Sequence, residues 1–520
     1  MFGQAHDDSL YFSSAKALAE GQGHVLPGLP LQPQPSKYPI LYPALLSLVW
    51  RVDDSFPQNL APGFWVGALF ACGFMWASAI VLRQLGASRW ESLAIAAISS
   101  FHPNSFLLSQ LMLSDMPFAA MSLGACALAG RAFTESPRSG RSRALWTLVT
   151  LLLGAATLTR TMGVAVTAGV VAAAILRRRF GAAALCSAAG LPVVFSLLGA
   201  LSAGDGAEAA PDGLRQTLIF YTNYAGFWRL TTPDWEAFAA QALFNLTELL
   251  KHPAALCFLL PAAGRTSGLV QAVSIAISFG VFKGIFETAS KRPAYPLHFI
   301  LLACAPIVVV WNYTLMLRFM LPFTPLFYFG AWREMKALGG VCIEKLRGRE
   351  PVAEKAIAAV MGIGIAVLAG YGVREMVWRS YPRLARSAAM RSSHLLPRLE
   401  AYRWIREQTD QGDLFISYDD VELHLYTGRQ GMRPMAFSTA AFYLQDEKIL
   451  DRDLEKLGDV ARGIGAKYWV VTDRDYELET ADIQLRDATR GLTEGLAVVF
   501  ESEDRSVRIV DLAPWLSSTR

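Results

Sequence analysis

Asp7 and Asp8 stand as adjacent carboxylates near the start of the chain, in the run Asp7-Asp8-Ser9-Leu10-Tyr11, and Lys37-Tyr38-Pro39 follows in the same polar segment. A long hydrophobic chain comes after them, so the pair points to chemistry at a bilayer surface. One further carboxylate, Asp115, and three cations, Lys37, Arg160 and Arg318, belong with the pair if the chain folds so that they share a side of the membrane. What must position them is a set of membrane helices, and composition calls for these: hydrophobic residues make up 53%, charged residues 18%, and mean hydropathy is +0.31. That balance suits membrane spans joined to a soluble part.

A span needs roughly 20 apolar residues to cross about 30 Å of hydrocarbon. Ten stretches are candidates: 63–82, 91–108, 116–133, 144–158, 162–176, 181–203, 268–286, 295–311, 319–332 and 356–373. Lys and Arg near span ends concentrate on the cytoplasmic side. Arg83 and Arg89, then Arg131 to Arg143, then Arg177 to Arg179, then Lys283, Lys291 and Arg292, then Arg333 to Lys355 fall in alternate loops, which therefore face the cytoplasm. The opposite set holds Asp7, Asp8, Asp115, Arg160, the 202–252 loop, Arg318 and everything after Arg374, with both termini outside. No apolar segment precedes Asp7, so the sequence predicts a first membrane helix that this chain lacks; protein sequencing that finds Met1 to be the native start would overturn that expectation.

Two stretches predict interfacial helices: 39–50, which is apolar but only half the length needed to cross, and 234–250 in the outer loop, where Trp235, Phe238, Ala242, Leu246 and Leu249 recur at helical spacing. From about His394 the pattern changes to helix-like 399–408, strand-like 414–418, helix-like 449–464, and strand-like 468–472, 497–501 and 507–511. This predicts a small outward α/β domain, a lid or acceptor-docking module without a phosphate loop or nucleophile motif. The expected fold is thus mainly α: a polytopic helical bundle with interfacial helices, then a small soluble α/β domain. Its divisions are an acidic loop and interfacial helix over 1–60, about ten spans over 61–375, and the soluble domain over 394–520.

The cysteines give no disulfide framework or zinc spacing, five lying in apolar stretches and Cys342 in a cytoplasmic loop. A net charge of +4 arises largely from cytoplasmic loops that anionic headgroups would attract, and implies no nucleic-acid partner. No spaced His or Asp cluster supports a divalent metal.

The runs Asp7-Asp8-Ser9-Leu10-Tyr11, Ala15-Lys16-Ala17-Leu18-Ala19-Glu20-Gly21 and Lys37-Tyr38-Pro39 resemble the first external loop of C-type glycosyltransferases of the protein mannosyltransferase and lipid A aminoarabinose transferase type. Ser114-Asp115, Leu158-Thr159-Arg160 and Arg318-Phe319-Met320-Leu321-Pro322 with Pro325 agree in order and sidedness. The chain departs from that family in having no helix before the acidic loop, and in Asp8 where Glu is common. The resemblance implies inverting transfer of a hexosyl or pentosyl group from a polyprenyl-phosphate carrier to an acceptor hydroxyl on a lipid, polysaccharide or protein, at the outer face of a bacterial inner membrane. Asp7 would then accept the hydroxyl proton, with Asp8 holding geometry or substituting for it and Asp115 raising the pKa of Asp7. Lys37, Arg160 and Arg318 would hold the leaving phosphate.

Each residue also has a plainer reading. An Asp-Asp pair commonly serves as a solvated turn or cap, Asp115 can cap the span that starts at Met116, and arginines at span ends snorkel to headgroups. His102 reads as an interface residue. Trp65, Trp76, Phe220, Tyr221, Tyr224, Phe227 and Trp228 line a sugar or lipid groove or else form belts and packing. A transporter or flippase that makes no bond is the alternative from another class, though such proteins place charges near the midplane in broken helices and show repeats. A scaffold without catalysis would leave the acidic pair without a role.

Overall fold

The computed structural model describes residues 2–3, 6–35, 37–192, 218–219, 221–222, 235–260, 268–292, 294–311, 316–347, 351–433, 457–473, 475 and 482–513. Helices α1 (His6–Ala19), α2 (Leu41–Val52) and α3 (Leu60–Gln84) come first, followed by α4 (Arg89–Ser100), α5 (Pro103–Ser109), α6 (Asp115–Ala132), α7 (Gly140–Thr159), α8 (Gly163–Leu176) and α9 (Phe180–Ser187). Then come α10 (Trp235–Phe258), α11 (Gly268–Lys291), α12 (Pro296–Val309), α13 (Thr324–Arg347), α14 (Val352–Arg374) and α15 (Tyr381–Gln408).

The protein is an integral membrane protein with a mainly helical bundle. Among the described residues, four helical stretches are long and apolar enough to cross a membrane: Leu60–Gln84, Gly140–Thr159, Gly268–Lys291 and Val352–Gln408. The last runs through α14, a π-helical turn at Glu375–Ser380 and α15 without interruption for 57 residues. At about 1.5 Å per residue that is roughly 85 Å, far more than the hydrocarbon of a bilayer, so this helix leaves the membrane and enters the C-terminal domain.

Several boundaries differ from the sequence-based expectation. The stretch 91–108 is two helices, because Pro103 cannot donate into a continuing helix and forces His102 into extended backbone (φ −57°, ψ 137°). His102 is not an interface residue: it is fully buried, and its Nδ1 accepts from the Asn104 N–H to cap α5. The stretch 319–332 begins as a 3₁₀ turn at Leu321–Phe323 and continues as α13 to Arg347, which places Cys342 buried on a helix rather than in a loop. Of 181–203 the described part is α9 and a short 3₁₀ turn, and the remainder lies outside the described residues. The "acidic loop" is helical from His6 to Ala19.

Close crossings hold the bundle. Gly284 of α11 lies against the backbone of Gly330 on α13, and Gly169 of α8 against the backbone at Ile300 on α12; any Cβ there would collide. Small residues at such crossings let helix backbones approach where no hydrophobic driving force operates. At the polar end of α4, Ser88 and Glu91 form a capping box, and the same Glu91 carboxylate accepts from Trp332 and Lys336 of α13.

The C-terminal domain is a five-stranded sheet of order β2-β1-β3-β5-β4, with β1 (Leu414–Ser417), β2 (Gln430–Met432), β3 (Ala466–Thr472), β4 (Ala497–Glu501) and β5 (Val507–Asp511). β1 pairs in parallel with β2 and β3, and β5 runs antiparallel to β3 and β4. Helix α16 (Asp420–Thr427) forms the crossover between β1 and β2, and α17 (Leu457–Ile464) and α18 (Asp482–Thr493) complete the described helices. Trp469, Phe415, Ile416 and Ile509 are fully buried in its two cores.

Candidate active site

The first turn of α1 sets the geometry. Successive helical residues point about 100° apart, so adjacent side chains cannot share a face. Asp7 points toward the bundle. Its Oδ1 accepts from the Tyr38 hydroxyl at 3.0 Å, and its Oδ2 from Arg318 Nη1 at 2.9 Å.

Arg318 sits on a single helical turn (Met316–Phe319) just before the 3₁₀ turn that opens α13. The other edge of its guanidinium faces Asp115, with Nη2 at 2.8 Å from Oδ2 and Nε at 3.1 and 3.2 Å from the two oxygens. One planar fork thus bridges two carboxylates more than a hundred residues apart in sequence, which a lysine could not do. Arg160 completes the group. It ends α7 in extended backbone (φ −147°, ψ 138°), so its side chain turns back to place Nη1 2.6 Å from Asp115 Oδ1, with the guanidinium over the Phe319 ring.

Asp115 therefore does not cap its helix. Ser114 occupies the cap position in αR backbone with no side-chain cap bond, and its hydroxyl pairs with Tyr11 at 2.8 Å. The Asp115 carboxylate is fully shielded and engaged with two guanidiniums instead. Arg160 and Arg318, at 15% and 18% side-chain exposure, do not snorkel outward; both turn inward to this carboxylate.

Burial pushes the Asp7 pKa upward, but the charge and hydrogen bond of Arg318, with help from Tyr38 and Lys37, outweigh it and hold Asp7 below the ordinary carboxylate value. This corrects the expectation that Asp115 would raise it: a guanidinium lies between the two carboxylates. Lys37 is near enough to interact with Asp7, and burial lowers its ammonium to about 8 against the attraction of that carboxylate.

Asp8 is not part of this group. It is fully buried on another face of α1, where both carboxylate oxygens lie 3.1 Å from the Gly3 N–H and one accepts from Ser9 at 3.2 Å. Burial and the neighbouring Glu422 carboxylate push it up to about 8, so at neutral pH it carries its proton. Substitution of Asp8 for Asp7 as a base would require it to point elsewhere.

Tyr38, Tyr11 and Ser114 were within the runs that marked the region but carried no assigned role; only the fold brings them beside the carboxylates. Of the aromatic candidates, Trp65 and Trp76 are largely exposed on α3, whereas Tyr221 is buried and bonds His6 at 3.0 Å. Phe220, Tyr224, Phe227 and Trp228 lie outside the described residues. Among the described residues no cluster of three His, Cys, Asp or Glu could hold a metal ion.

No protein-family model matches the sequence, and no curated protein matches it significantly. Solved structures do match. ArnT from Cupriavidus metallidurans bound to undecaprenyl phosphate superposes with a TM-score of 0.53 at 12% identity, over 98% of this chain and 94% of that one. The archaeal oligosaccharyltransferase AglB from Archaeoglobus fulgidus, in complex with an inhibitory peptide and a dolichol-phosphate, gives 0.53 at 12% identity, over 98% of this chain and 70% of that one. What is shared at this identity is the fold.

Proposed function

We propose that this protein is an inverting glycosyltransferase that moves a sugar from a polyprenyl-phosphate carrier to an acceptor hydroxyl at the outer face of the membrane, in bacteria the inner membrane. The observation that carries the reading is the guanidinium of Arg318 shared between Asp7 and Asp115, with Arg160 and Lys37 beside it. A buried excess of basic groups next to a partly exposed carboxylate suits a reaction that needs a base on one side and an anion hold on the other. Both comparison structures named above hold a polyprenyl-type phosphate, which supports the same donor class here.

In the reaction, the acceptor oxygen attacks the anomeric carbon from the face opposite the phosphate. Its proton passes to Asp7, the new C–O bond forms, and the bond from the anomeric carbon to the phosphate oxygen breaks, so that the carrier leaves as a phosphate anion. Charge grows on the phosphate oxygens, where Arg318, Arg160 and Lys37 stabilise it. As Arg318 turns part of its fork to the phosphate, its hold on Asp7 weakens. Burial is then opposed only by Tyr38 and Lys37 and raises the basicity of Asp7 when a donor is bound.

The test is mass spectrometry of lipids retained by the purified Asp7→Asn protein. A polyprenyl-phosphate sugar that accumulates there and is consumed by the unmutated protein supports the transferase. A lipid carried intact by both forms, with no sugar transferred, would put the flippase reading in its place.

A further inference from the structure

On the glycosyltransferase reading, we infer that Asp420 and Glu422 of the C-terminal domain are positioning residues that aim Asp7 by holding the residues on either side of it. Asp7 faces Arg318, while His6 and Asp8 face the first turn of α16. His6 Nε2 lies 3.0 Å from the Tyr221 hydroxyl, which donates to Asp420 Oδ2 at 3.1 Å, and His6 itself is 3.7 Å from Asp420 Oδ1. Asp420 is fully buried and fixed from its own side by the N–H groups of Val421 and Arg433. It is therefore a rigid post rather than a mobile surface group.

Glu422 holds the other flank. It pairs with Arg391 of α15 at 2.5 Å, and Gly3 lies so close against this pair that any Cβ would strike both side chains. The Gly3 N–H in turn donates to Asp8, whose carboxylate is near enough to Glu422 to interact with it. Farther along, the Gly431 N–H donates to the Gly28 carbonyl at 2.9 Å, and Gln430 Nε2 to Pro27 O at 3.1 Å, so the segment after α1 is fastened to the same edge of the domain.

The hydrogen bonds and ion pairs of Asp420 and Glu422 lie outside the Arg318 cluster, so the effect of these two residues on the reaction passes through the direction of α1. A displacement of about 1 Å of a reacting group is enough to lower a rate about 10²-fold. The donor phosphate, held by residues on other elements, should scarcely notice.

The experiment compares Asp420→Asn, Glu422→Gln and the milder Asp8→Asn, which keeps the shape that accepts from Gly3 and Ser9, with the unmutated full-length protein in nanodiscs. Two readouts are taken. Steady-state transfer from a polyprenyl-phosphate sugar should show kcat lower by about 10- to 100-fold with donor KM within twofold. Hydrogen–deuterium exchange of residues 2–11 should be at least tenfold faster in the variants, while exchange across β3 and β5 stays as it was. Unchanged exchange in residues 2–11 of all three variants, or a rise in donor KM at constant kcat, overturns the proposal. Exchange that spreads through β3 and β5 in all three variants also overturns it, since the residues then merely stabilise the domain. If the unmutated protein transfers no sugar, the glycosyltransferase reading fails by itself, and the exchange arm still decides whether the domain holds α1.

Discussion

Replacing Asp115 by Asn and Asp7 by Asn should produce opposite defects, although the two carboxylates share one arginine. At the site three cations, Arg318, Arg160 and Lys37, face two carboxylates, so removing either carboxylate leaves three cations against one anion. What differs is the surroundings. The Asp115 side chain is 0% exposed and takes both guanidiniums, whereas Asp7 is 27% exposed and takes one. Breaking a buried pair by removing one partner costs about 3–5 kcal/mol, because the orphaned charge keeps its desolvation penalty. A pair partly open to solvent, as Asp7–Arg318 is, is screened and costs less to break, toward the about 0–1 kcal/mol of a surface pair. Asp115→Asn should therefore lower the thermal midpoint strongly, and Asp7→Asn should melt close to the unmutated protein, its amide oxygen still accepting from Arg318. Transfer should fall by about 10²–10⁴ in Asp7→Asn, the range for loss of a general base. The assay is a thermal melt in detergent followed by tryptophan emission, beside single-turnover transfer at saturating donor. An Asp115→Asn protein as stable as its parent would refute the argument that Asp115 anchors the cluster, and full transfer by Asp7→Asn would refute Asp7 as the base.

Other outcomes follow from the same geometry. Asp8 is raised to about 8, above its value in the unfolded chain, so the stability linked to it is complete below the ordinary carboxylate range and is lost progressively as pH rises to about 8; limited proteolysis of the 1–40 segment should accelerate from about pH 5 to about pH 8 and level off above that in the unmutated protein, and stay level throughout in Asp8→Asn. Lys37, lowered to about 8, loses its charge as pH rises through that value, so donor affinity should decline above pH 8 and Lys37→Arg should flatten the profile, read by donor-lipid binding as a function of pH. Gly284→Leu should destabilise the bundle by at least about 1–3 kcal/mol, seen as early aggregation on heating, because the Gly330 backbone occupies the space a side chain would need.

The bundle was legible because long apolar runs leave few alternatives, and α3, α6, α7, α8 and α11 start or end within a few residues of the expected spans. Four of the five described strands of the C-terminal sheet were legible from β-branched and aromatic runs, as in Tyr468-Trp469-Val470-Val471-Thr472, whereas β2, only Gln430-Gly431-Met432, carries no such run and was not expected. Helix α1 was not. Nine of its fourteen residues are buried, including Ser9, Ser13 and Ser14, so the apolar stripe of a surface helix is absent, and good helix formers come only in the last five residues, Ala15-Lys16-Ala17-Leu18-Ala19, not around the two carboxylates. Tertiary packing sets its conformation. The break at His102-Pro103 carried a readable signal, since the residue before a proline is turned away from helix, but the apolar pattern on both sides masked it.

Reading residues 6–19 as a loop also concealed the difference between Asp7 and Asp8. In a loop two adjacent carboxylates can converge on one substrate; on a helix they diverge by about 100°. The divergence lets one turn of α1 meet two environments of opposite character, a cationic one built by Arg318, Arg160 and Lys37, and an acid-rich one built by Glu422 and Asp420 with Arg391. In the first a carboxylate stays ionised and can receive a proton; in the second it holds its proton at neutral pH and serves as a contact. An exchange of the two positions is therefore not expected to be neutral in either setting. The variant Asp7→Asn should not be rescued by the intact Asp8 at any pH, and transfer that returned in it above pH 8, when Asp8 ionises, would show that the two carboxylates reach the same substrate after all.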